Sequence, residues 1–102
     1  MRNRRPLAAA VLALAAPWCA AQDALLARNL AGTCANCHGT NGAARDEMAP
    51  LAGVPAATLI AQLADFKSGA RPATVMGQIT KGYSNEQLAL IAGYLAAQPA
   101  KK

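Results

Sequence analysis

The sequence has little with which to fill a core. Its 102 residues include one Phe, one Trp, two Tyr and one His, and aromatics make up 4% of the chain. The hydrophobic fraction is 54%, but much of it is alanine, which buries little area. No apolar run is long enough to span a bilayer: the longest, Leu7 to Ala16, is about half of the roughly 20 residues a membrane helix needs. No segment reads convincingly as a strand, and there is no internal repeat and no low-complexity linker. One small domain is the most this length allows, and domains this small often depend on a staple, a metal or another non-protein centre.

The first stretch reads as an export signal. Arg2, Arg4 and Arg5 form a positive start, Leu7 to Ala16 is the apolar segment, and Pro17 ends it. Cys19-Ala20-Ala21 then puts small residues where a signal peptidase reads, which predicts residues 1–21 as a cleaved secretory signal and 22–102 as the mature domain. Acylation of Cys19, as in a lipoprotein, is disfavoured by bulky Trp18 just before it. Removal of the signal leaves seven Lys or Arg against five Asp or Glu, a net charge of +2 that gives no support for nucleic-acid binding. It also removes the only Trp and leaves two cysteines, Cys34 and Cys37.

The rest of the chain has helical periodicity. Asp23 is a plausible N-cap for a helix carrying Leu25, Leu26, Leu30 and Cys34, which should run into the cysteine pair and stop near Gly39. A loop rich in Gly, Asn, Asp and Pro follows to Val54. Pro55 suits the first turn of a second helix, with Leu59, Leu63 and Phe66 on one face and Gly69 as its stop. A short helical turn is expected from Val75 to Lys81. Ser84 and Gln87 then fit a capping box before Leu88, Ile91, Ala92 and Leu95, and Ala100-Lys101-Lys102 should fray. The predicted architecture is a small all-α domain with long loops.

Cys34-Ala35-Asn36-Cys37-His38 is C-x-x-C-H, the attachment signature of haem c. Two cysteines at i and i+3 at a helix end point the same way, so each sulfur can form a thioether with one haem vinyl group. The histidine one residue on then lies under the ring and offers a nitrogen to the iron. Zinc is a poorer reading, because it wants four ligands, usually Cys or His, and the mature chain has three of those. A thioredoxin-like dithiol would need strands around it, and a disulfide over three residues closes too small a loop to add much stability. His38 is the only histidine, which excludes a bis-histidine haem within one molecule. For the sixth ligand the mature chain has Met48 and Met76. Met48 would have to double back round the ring, whereas Met76 follows a full helix that gives the chain room to cross to the far face. Met76 is the expected ligand and Met48 a packing or surface residue.

With these residues in view, the chain resembles class I c-type cytochromes of the bacterial c4/c553 group over nearly all of its mature length. The resemblance rests on C-A-N-C-H-G-T-N-G, the Leu51-Ala52-Gly53 triplet, the run from Gln62 to Arg71 and the Met76 region. Thr74-Val75-Met76 followed by Lys81-Gly82-Tyr83-Ser84 is similar to the cytochrome subunits of flavocytochrome c sulfide dehydrogenases. The resemblance implies a small class I cytochrome c fold around one covalent haem, with His38 and Met76 as axial ligands. It also implies that the first and last helices cross near the haem, where Ala31 and Gly32 against Gly93 and Tyr94 would permit a close approach. In that group a proline usually stands two residues before the Leu-Ala-Gly leucine, and its carbonyl holds the histidine's other ring nitrogen. Here that position is Ala49, and the proline is shifted to Pro50.

The expected function is periplasmic single-electron transfer with both axial positions filled and no catalytic site in the chain itself. The leading partner implied is a flavoprotein that oxidises sulfide. A free carrier donating to a terminal oxidase or another respiratory complex is the alternative, although a mature charge near +2 lacks the strongly charged docking face such carriers often use. A haem enzyme or gas sensor with an open iron site would need polar groups over the distal face, and there is no second histidine to supply one. Haem c is attached after translocation, so export should follow the general secretory path, despite Arg4-Arg5.

Overall fold

The computed structural model describes residues 23–44 and 48–100. The expected signal at 1–21, with Cys19 and Arg4-Arg5, lies outside the described residues, as does the end of the tail at 101–102. Among the described residues all regular structure is helical.

The first helix, α1, is helical from residue 23 through 31, so Asp23 lies within the helix instead of capping it. Ala27 and Ala31, four residues apart and therefore on one face, are buried. The path then tightens into a 3₁₀ turn at Gly32–Cys34 before α2, Ala35–His38. One continuous helix was expected here. Gly32 is a poor helix former, and the Thr33 hydroxyl bonds back to the Leu30 carbonyl at 3.0 Å, which favours the tighter turn.

Gly39 ends this segment at φ +81°, where an added Cβ would lie 2.3 Å from the Ala43 carbonyl oxygen. A second 3₁₀ turn, Thr40–Gly42, follows. The Gly42 carbonyl gathers three N–H groups, from Ala44, Leu51 and Ala52, and so folds the loop back on itself. The N–H of Gly53 then bonds to the carbonyl of Leu95, which docks the loop on the last helix.

Helix α3, Ala56–Ser68, begins after Pro55, which is its N-cap at ψ 137° instead of a first-turn residue, and ends at left-handed Gly69. Helix α4, Thr74–Lys81, is two full turns and begins one residue before the expected Val75. Helix α5, Asn85–Ala96, starts with the capping box: Gln87 N–H donates to Ser84 Oγ, and Ser84 N–H to Gln87 Oε1. α3 packs against both α4 and α5.

The core is Leu59, Leu88, Ile91 and Leu95, with Ala31 and Ala92 between them. Burying each large aliphatic contributes about 1.5–3 kcal/mol, so four of them make a thin core. Of the residues expected at the approach of α1 and α5, Ala31 is buried in one cluster with Ala92 and Tyr94 packs against it, whereas an added Cβ on Gly32 or Gly93 would meet nothing within 4 Å. The buried stripe of α5 runs through residues 88, 91, 92 and 95, and position 93 lies off it by a helical step.

Candidate functional site

The C-x-x-C-H residues lie on consecutive turns. Cys34 closes the first 3₁₀ turn, half-buried against the core, while Cys37 and His38 sit in α2, with Cys37 exposed. Both cysteines are free thiols. Burial pushes the Cys34 thiol up from its ordinary value, with a smaller opposing pull from the side chain of Thr33.

His38 Nδ1 lies 2.8 Å from the backbone oxygen of Ala49. A carbonyl can only accept, so in the neutral imidazole the proton belongs on Nδ1 and the lone pair on Nε2. That is the tautomer a metal-binding histidine needs. The shifted proline therefore does not cost the contact. The residue before a proline is confined to extended conformations, so Pro50 restricts the backbone of Ala49 and helps aim its carbonyl. The acceptor itself is held through the loop that Gly42 organises, and Tyr94 Oη donates to Asn41 Oδ1 at 2.5 Å from α5.

The two methionines are placed differently. Met76 is half-buried on α4, while Met48 is 42% exposed in the loop. Around Met76 the sequence reading missed Thr80. It is fully buried, and its hydroxyl donates to the carbonyls of Met76 at 2.7 Å and Gly77 at 3.3 Å. A threonine at i+4 to a methionine is a hint only once the helix is known.

A second missed group joins α4 to the cysteine segment. Lys67 Nζ donates to the Tyr83 carbonyl at 2.7 Å and to Asn85 Oδ1 at 3.2 Å, and Tyr83 Oη lies 2.8 Å from Thr33 Oγ1. Lys67 is thus committed within the fold, and Arg71 stacks over the Phe66 ring at 4.9 Å. Lys81 is exposed at the end of α4.

These residues fit a covalent haem. Two unpaired thiols at i and i+3 stand beside an imidazole whose Nε2 is left free, in a chain whose own side chains make a thin core. They do not fit zinc: among the described residues no three His, Cys, Asp or Glu side chains come together as a metal site. An apolar groove of about 610 Å³ lies elsewhere, between α1 and α5, lined by residues such as Leu25, Ala27, Leu90 and Gly93. It includes none of the C-x-x-C-H residues. No described helix is long and apolar enough to cross a membrane.

Comparison with known proteins gives three relatives of one kind. The chain is 42% identical over 62 residues to the cytochrome subunit of sulfide dehydrogenase of Chlorobaculum tepidum, covering 61% of this chain and 56% of that one. It is 41% identical over 69 residues to the thiosulfate dehydrogenase electron acceptor of Stutzerimonas stutzeri, covering 66% and 32%. It is 34% identical over 82 residues to cytochrome c-554(548) of Halomonas halodenitrificans, covering 76% of this chain and 99% of that one. The match thus spans about half of the first relative and a third of the second, but nearly all of the third. No protein-family model matches the chain. An all-helical architecture and a match over almost the whole of a cytochrome of this type lead to one conclusion: the chain belongs to the class I c-type cytochromes, electron-transfer proteins that carry haem.

Proposed function

We propose that the chain is a periplasmic monohaem cytochrome in which Cys34 and Cys37 hold one haem through thioethers, with His38 and Met76 as the axial ligands. The observation that carries this reading is the His38–Ala49 pair beside two free thiols. The haem supplies a one-electron couple. The chain's part is to hold that group rigidly, exclude most water from it and present one edge of it to a partner. Ala49 fixes the ring orientation and tautomer of His38, and the backbone of Met76 is braced by Thr80. With both axial positions taken by side chains, no substrate needs to reach the iron.

The partner we infer is a flavoprotein that oxidises sulfide and passes its electrons on singly. The 42% identity to a sulfide dehydrogenase cytochrome subunit supports this. A second reading, a free carrier donating to a terminal oxidase or another respiratory complex, is favoured by the match to cytochrome c-554(548) over 99% of that chain.

The test begins with the protein co-expressed with haem c maturation factors. A sharp reduced α-band and a methionine-to-iron charge-transfer band in the oxidised form are expected, with haem that stays on the chain under denaturing conditions. Absence of covalent haem would return Cys34 and Cys37 to a thiol or disulfide role. Pull-down from the native host with flavin analysis of the captured protein then separates subunit from free carrier.

A further inference from the structure

Met76 and the C-x-x-C-H segment lie on different elements, and a chain of hydrogen bonds joins them. The Thr80 hydroxyl bonds back to the carbonyl of Met76, and the Tyr83 N–H donates to the carbonyl of Thr80 at 3.2 Å. Tyr83 is therefore continuous with the last turn of α4. Its own carbonyl is gripped by Lys67 from α3, and its ring packs half-buried on the same core cluster as Cys34. Its hydroxyl meets Thr33, the residue before Cys34. Thr33 has one hydroxyl proton, and the Leu30 carbonyl takes it, so Tyr83 is the donor in this pair.

We propose that Tyr83 is a positioning residue for the distal ligand: by donating to Thr33 it locks the end of α4 to the turn that presents Cys34, and so holds Met76 in place against competing ligands. This rests on the reading of His38 and Met76 as the axial pair. No other contact described above ties the α4 end directly to the segment before Cys34. The backbone of Tyr83 is fixed twice, through Thr80 and Lys67, so little slack remains when the hydroxyl is also bonded. Loss of that one bond frees the turn to move away with α4 while leaving the apolar contacts of the ring intact.

The experiment is a titration of the oxidised holoprotein with imidazole, which must displace Met76 to bind. Loss of the methionine-to-iron band gives its dissociation constant. Tyr83→Phe removes only the hydroxyl and should bind imidazole about three- to tenfold more tightly, the factor that one hydrogen bond's net contribution represents. Thr33→Val should give a similar gain, the two together no further gain, and Thr33→Ser wild-type affinity. Ser84→Ala is the control: it removes the α5 cap, should lower the melting temperature, and should leave imidazole affinity unchanged. Wild-type imidazole affinity in Tyr83→Phe would overturn the proposal, even with a lower melting temperature. An equal gain in Ser84→Ala would overturn it too, by showing general loosening. Failure of the ligation reading is seen separately, because the wild-type protein would then show no methionine band at all.

Discussion

His38 Nδ1 and the carbonyl oxygen of Ala49 are 2.8 Å apart, across eleven residues of a loop that is glycine-rich at its start and ends at Pro50. In the proposed ligation, the proton this bond holds on Nδ1 would make the imidazole a stronger donor through Nε2 and so favour the ferric over the ferrous state of the iron.

Loosening that carbonyl should therefore raise the reduction potential. Pro50→Gly releases the restriction on Ala49 without touching His38. Its potential is expected to rise by some tens of millivolts, where about 59 mV corresponds to a tenfold change for one electron. Spectroelectrochemical titration measures this; an unchanged or lower potential would mean that Pro50 does not aim the acceptor.

The two methionines should separate cleanly. In the proposed ligation, Met76→Ala opens the sixth position, and the reduced protein then binds carbon monoxide with a shifted spectrum. Met48→Leu, at an exposed loop position, should keep the methionine band and remain unreactive. A carbon monoxide response in Met48→Leu alone would reverse the assignment.

At the start of α5, Ser84 Oγ and the Gln87 side chain satisfy each other's backbone N–H. Ser84→Ala should lower stability by about 1 kcal/mol, and Ser84→Gly by only a few tenths. Thermal melts of the holoproteins followed by circular dichroism give the comparison.

Gly39 tolerates no side chain. At φ +81° an alanine is strained whatever the space, and its Cβ would stand 2.3 Å from the Ala43 oxygen, a backbone atom that cannot swing aside. Gly39→Ala should cost more than the about 1–3 kcal/mol of backbone strain alone and sharply reduce the yield of haem-loaded protein. Gly93→Ala, in open space, should be neutral or slightly stabilising. Haem staining and melting curves of the two variants side by side check the contrast.

What could be read without a fold was what depends on short, fixed spacings. C-x-x-C-H is five contiguous residues, and its geometry follows from one helical turn. The capping box at Ser84 and Gln87 is a three-residue relation, and the stripe at 88, 91, 92 and 95 is set by the helical repeat. Helix ends were harder. Pro55 sits one step from its expected role, Asp23 lies within the helix it was to cap, and α1 tightens at Gly32–Cys34, because termini are settled by competition between weak local bonds.

Only the tertiary structure decided the partners that lie far apart in the chain. The acceptor of His38 depends on how the loop folds over the Gly42 carbonyl, and the Thr33–Tyr83 bond spans fifty residues. Lys67, which as sequence reads as a surface charge, becomes a brace only because α3 packs beside the turn before α5. At the approach of α1 and α5, Ala31 meets Ala92 in the core while Gly32 and Gly93 face open space, for the same reason. A local motif carries its own geometry in the peptide backbone, whereas a long-range contact has none until packing brings its two ends together.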